Sequence, residues 1–114
     1  MFHKELSKEM TFLYSNKNSP KLKASIIEPI LLLCINGISI YELPIEIQKI
    51  MPLPVPCKTI KKYLFYLISY GLVSYDGQRQ IYMTEDGGLD LLYEIHQEKQ
   101  NTFAISEDIT ITLE

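Results

Sequence analysis

Six side chains in this sequence have the types and spacing to grip a polyanion. Five lie in CKTIKKYLFYLISY, residues 57–70: Lys58, Thr59, Lys61, Lys62 and Tyr66. The sixth, Arg79, is the only arginine and sits in DGQRQ, residues 76–80. Ammonium and guanidinium groups pair with phosphates, and Thr and Tyr hydroxyls can donate to phosphates or to base edges in a major groove. Laid out at about 100° per residue, Ile60, Leu64, Leu67 and Ile68 fall in one arc with Tyr63 at its edge. The opposite arc holds Lys58, Thr59, Lys62, Tyr66 and Ser69, flanked by Lys61 and Phe65. The plain alternative is a solvated face with no partner. Arg79 divides the same way, between an inert tip residue and one that reaches a phosphate or a narrow minor groove.

Those groups need a scaffold, and the adjoining sequence supplies one. Gly71 can take the left-handed conformation that ends a helix. Residues 72–75 and 81–83 are then two short apolar strands around a polar tip. Asp76-Gly77 between such strands is a strong hairpin signal. Upstream, Pro52, Pro54 and Pro56 forbid helix and regular pairing, so they form a stiff elbow. Before it, Leu43, Ile47 and Ile50 mark a helix over about residues 41–51, with Pro44 in its first turn. A helix held at a set angle by a preceding helix is the helix-turn-helix arrangement.

Further upstream, Ser25 and Glu28 have capping-box spacing, with Pro29 expected in the first turn. The helix that follows is apolar nearly all round and so predicts burial on most sides; Asn36-Gly37 closes it. Residues 38–40 could add one short strand. Downstream, Thr84 is expected to cap a last helix to about Lys99, with Leu89, Leu92 and Ile95 as its inner stripe. Residues 2–14 read as a short helix (Phe2, Leu6, Met10, Leu13), and residues 15–23 as a loop whose lysines either touch phosphate or are merely solvated. Ile109-Thr110-Ile111-Thr112-Leu113 alternates strictly, a strand pattern. That strand needs an edge: the N-terminal segment, the hairpin or a second copy of the chain.

Charge is unevenly placed. The net value is −3, yet residues 57–83 carry Lys58, Lys61, Lys62 and Arg79 against Asp76. Residues 84–114 carry Lys99 against eight carboxylates. Local sign decides attraction beyond a screening length of roughly 10 Å. The two cysteines, Cys34 and Cys57, belong to no metal-ligand spacing, and His3 and His96 lie far apart in sequence. No nucleophile–base set or phosphate-cradling glycine loop appears, so no enzyme, cofactor or metal is expected. The longest apolar run, residues 30–35, is too short to span a bilayer. The N-terminus lacks a signal-peptide core, and the expectation is a cytoplasmic protein.

The fold class expected is α+β, mainly α: a winged helix-turn-helix with a three-helix core, a two-stranded wing, an extra C-terminal helix and a terminal strand. The division is an N-terminal extension (1–24), the winged domain (25–99) and a strand-like tail (100–114). The middle part, about two-thirds of the chain, resembles small single-domain winged helix-turn-helix regulators of archaea. The resemblance rests on Lys61, Tyr63, Leu64, Leu67, Gly71, Leu72 and Val73, then on Tyr82, Thr84 and Gly88. Here the threonine-to-glycine spacing is one residue longer than in that family. The resemblance implies sequence-specific double-stranded DNA binding by a transcriptional regulator, as a homodimer through the C-terminal helix and tail. The competing expectation is a winged helix that binds other proteins.

Overall fold

A computed structural model describes residues 2–4, 9–12, 19–102 and 109–113. In chain order these form β1 (Phe2–Lys4), β2 (Glu9–Phe12), β3 (Lys21–Lys23), α1 (Ala24–Cys34), α2 (Leu43–Ile50), α3 (Cys57–Ser69), β4 (Val73–Asp76), β5 (Ile81–Thr84), α4 (Asp86–Thr102) and β6 (Thr110–Thr112). The fold is α+β and mainly helical. One sheet has the order β1-β2-β6-β3, and β4 and β5 form a hairpin.

Helix α1 is the hub. Ile27, Ile30, Leu31 and Cys34 are wholly buried, and α2, α3, α4, β3 and β5 all pack on it. Burial pushes the Cys34 thiol up to about 12, so it stays neutral and acts as a small apolar residue. The helix begins without the expected Ser25–Glu28 capping box. Strand β3 runs straight into it, and the Ala24 N–H donates to the Ile109 carbonyl at 3.0 Å, so strand pairing satisfies a donor that a cap would otherwise serve. Glu28 instead meets Lys99 of α4 at 3.3 Å. Pro29 therefore lies inside the helix, not in its first turn.

Thr84 does not cap the last helix. Its hydroxyl donates to the Leu31 carbonyl at 2.6 Å, taking up an acceptor in the last turn of α1. Helix α4 starts one residue later, with the Glu85 carbonyl accepting from the Leu89 N–H. Its inner stripe is Leu91, Ile95 and Glu98, whereas Leu89 is 44% exposed. Of the expected stripe, Ile95 is buried and Leu92 packs against the core, while Leu89 turns outward and Leu91 takes its place.

The expected N-terminal helix is replaced by strands: β1 pairs antiparallel with β2, and β2 pairs parallel with β6. Leu6 and Leu13 lie outside the described residues. The loop expected over residues 15–23 contains β3, antiparallel to β6. Local helical spacing gave way to long-range pairing, the usual way tertiary context overrides propensity. Strand β6 thus has a neighbour on each side from its own chain, and Ile109, Ile111 and Leu113 are buried there. Among the described residues β6 has no free edge, and the described strands of the extension and of the tail belong to one sheet.

Gly88 marks the tightest junction. A Cβ there would stand 2.4 Å from the Leu72 carbonyl oxygen and 2.7 Å from Thr84 Cγ2. The glycine lets α4 lie directly against the β4–β5 hairpin. Helix propensity alone would make Gly88→Ala stabilising by about 1 kcal/mol. Overpacking of this kind opposes it with about 1–3 kcal/mol. We expect packing to win, with urea denaturation showing a net loss of about 1–2 kcal/mol; a variant more stable than the parent would contradict this junction.

Candidate nucleic-acid interface

Helix α3 is held on three sides. Along its length, Ile60, Tyr63, Leu64 and Leu67 are buried, the aliphatic ones contributing about 2 kcal/mol each. At its C-terminus, Gly71 adopts φ +75, the Leu72 N–H bonds back to the Leu67 carbonyl at 2.8 Å, and the Gly71 N–H bonds to Ile68 at 3.0 Å. This is the Schellman closure, with Leu67 and Leu72 both buried beneath it. Ahead of the helix, the proline elbow is clasped to α2: the Gln48 amide donates to the Val55 carbonyl and accepts from the Val55 N–H. Helix α2 has its own brace, the Ser39 hydroxyl, which accepts from the Glu42 N–H at 3.1 Å and donates to the Glu42 carboxylate. Ser39 and Glu42 have the capping-box spacing that sequence reading assigned instead to Ser25 and Glu28.

The hairpin follows directly. Ile38 exchanges both backbone bonds with Tyr82, at 3.1 and 2.8 Å, so it acts as a one-residue third strand beside β5. Tyr75 and Tyr82 pack against each other across the hairpin, ring centroids 4.8 Å apart and planes tilted at 44°. Burial raises the Tyr82 phenol above its usual range, and the neighbouring Tyr75 adds to that.

Of the expected site residues, Lys58, Lys61 and Lys62 are exposed together on α3. Thr59 and Tyr66 are not on the open face: both are half-buried, and Tyr66 packs against the core. The outward direction of α3 is rotated by roughly 65° from the sequence estimate at the helical repeat. The cause is Tyr63. Its phenol reaches β3, an edge strand, and accepts the Lys23 N–H at 2.9 Å. Desolvation raises the Tyr63 pKa, and that hydrogen bond offsets part of the rise. Tying the Tyr63 side inward brings Thr59 and Tyr66 toward the core and turns Phe65 (66% exposed) and Ile68 (37% exposed) toward solvent. Phe65 was the residue missed; the signal was the hydroxyl of Tyr63, a polar group that needs a partner once buried.

Arg79 stays on the surface but does not reach outward as a free cation. Its Nε donates to Asp76 Oδ2 at 2.8 Å, while Asp76 Oδ1 accepts the N–H groups of Gln78 and Arg79. The Arg79 side-chain bond, then its backbone N–H, hold the Asp76 carboxyl below its usual range. Asp76 is thus the brace of the turn and also the counter-ion of its one guanidinium.

The acidic residues Asp86, Asp90, Glu94 and Glu98 are on helix α4, which packs on α1 and also meets β1 and β5, while α3 packs mainly on α1 and β4. Among the described residues no cluster of His, Cys, Asp or Glu is placed to hold a metal ion, and no helix is long and apolar enough to cross a membrane. No family model, curated protein or solved structure matches this chain.

The Tyr63 bond is testable by itself. Tyr63→Phe leaves the Lys23 N–H without its acceptor, and we expect a loss of about 1–2 kcal/mol in urea denaturation with an unchanged slope. Stability equal to the parent's would remove the bond as the anchor of α3.

Proposed function

We propose that this chain is a winged helix-turn-helix protein that binds double-stranded DNA as a sequence-specific transcriptional regulator, with α3 in the major groove and the β4–β5 wing along the flanking backbone. One observation carries the reading: α3 presents Lys58, Lys61 and Lys62 on one open face and has no acidic residue among its 13 positions. Support comes also from the order α1, Ile38 bridge, α2, α3, hairpin, which is the winged-helix order. The basic face and the acidic helix together orient the molecule on a polyanion. With one arginine, already paired, guanine recognition by bidentate contacts is limited, and binding depends strongly on salt. A second copy would join along the exposed face of α4, where Leu89 and Tyr93 stand one turn apart.

The test is a duplex titration over a range of salt. Replacing Lys58, Lys61 and Lys62 by Gln should weaken binding and flatten the slope of log K against log salt by about 0.9 per lost phosphate contact, with the circular dichroism spectrum unchanged. Unaltered binding by that variant would overturn the assignment. One copy per duplex in the same titration would remove the dimer.

A different variant probes the wing. Asp76→Asn keeps an acceptor for the Gln78 and Arg79 N–H groups but removes the charge that engages Arg79. Duplex binding should tighten, and the salt slope should steepen by about one phosphate contact. A slope identical to the parent's would place the wing off the backbone.

A second reading, a module that docks another protein, draws on one feature. A groove of about 560 Å³ runs between α1 and the proline elbow, lined by Ile26, Pro29, Leu32, Ile50, Met51 and Leu53. Leu32, Ile50 and Leu53 are more than half exposed there. Passage through heparin at low salt without retention would favour this reading over DNA binding.

A further inference from the structure

The open face of α3 is not uniformly polar. Phe65 stands on it four residues beyond Lys61 and three beyond Lys62, so the ring and the ammonium groups share one surface. A phenyl ring 66% exposed, with Ile68 beside it, adds nothing to phosphate binding. Nor is it loosely hung. Tyr66 meets it edge-on, ring centroids 5.6 Å apart and planes at 68°, and Tyr66 is itself seated against the core. The ring is therefore held outward in the middle of the helix, flanked by cations.

The composition of α3 narrows what such a ring could read. Its 13 residues, CKTIKKYLFYLIS, contain no Arg, Asn, Gln, Asp or Glu. The side chains that pair two-pronged with adenine, or accept from cytosine, are absent, which leaves the lysines, able to reach guanine O6 and N7 or the phosphates, and the apolar Phe65 and Ile68 as the groups on this face. In the major groove one base alone carries an apolar group, the C5-methyl of thymine, and apolar side chains such as Phe contact it. We propose that Phe65, with Ile68 beside it, reads thymine methyl groups, so that the preferred duplex is A·T-rich beneath the centre of α3. This deepens the DNA-binding reading above and rests on it.

Deoxyuridine supplies the test, because it keeps every hydrogen-bonding group and every phosphate of thymidine and removes only the methyl. The probes are short duplexes of alternating dA–dT, of alternating dA–dU and of alternating dG–dC, measured by fluorescence anisotropy at low salt. The dA–dU duplex should bind about four- to fifteenfold more weakly than dA–dT, as expected for the loss of one or two buried methyl groups. Phe65→Ala should bind dA–dT and dA–dU equally, while its salt slope matches the parent's because the lysines remain. Phe65 is exposed, so the variant should fold, and circular dichroism checks this. Equal binding of all three duplexes by the parent would overturn the methyl reading and leave the lysine face standing. Failure to bind any duplex would sink the underlying DNA reading, and this inference with it. Self-association that disappears in Phe65→Ala, with no dA–dT preference in the parent, would assign the ring to a second copy and overturn the proposal.

Discussion

Burial of α1 is the constraint from which the other placements follow. A helix apolar on nearly every side is stable in water only when neighbours cover most of those sides. Helices α2, α3 and α4 supply three walls, and β3 and β5 cover most of the rest, leaving Leu32 open at the groove beside the proline elbow. Each neighbour is left one outward face. For α3 that face carries lysines and Phe65; for α4 it carries carboxylates with Leu89 and Tyr93. The α3 lysines and the α4 acidic residues thus sit on different helices arranged around one apolar rod.

A second theme is how few polar bonds set the angles. The Gln48 clasp fixes the elbow that leads into α3, Tyr63 fixes its roll, and Thr84 fixes the hairpin against the end of α1. All three join a side chain to backbone outside its own element, and those of Tyr63 and Thr84 reach segments 40 and 53 residues away. Hydrophobic burial is non-directional and would tolerate some rotation of α3, whereas a phenol bonded to one particular N–H tolerates little. The lysine face and the Phe65 ring are oriented by that bond.

The stretch from α3 through the hairpin was the most legible in sequence. Its signals are local: a 3.6-residue period, Gly71 as a stop, and Asp76-Gly77 between apolar strands. What could not be read locally was the roll of α3, since Tyr63's partner, Lys23, belongs to a strand on the far side of the sequence. The same holds for β1 and β2, whose helical spacing misled because their pairing is completed by residues near position 110. The Arg79–Asp76 pair sits three residues apart and was within reach of sequence reasoning, as an Asx turn whose carboxylate has a guanidinium beside it.

The sandwiching of β6 between β2 and β3 sets an order of assembly. Glu9 is matched with Thr110, so closing that pairing confines all the residues between them to one loop, whereas the helices and the hairpin need only nearby contacts. While a ribosome is still extending the chain, β2 and β3 are left with a vacant slot between them. The helical body can condense first, and insertion of β6 then acts as the late locking step that fastens β3, and through it the roll of α3.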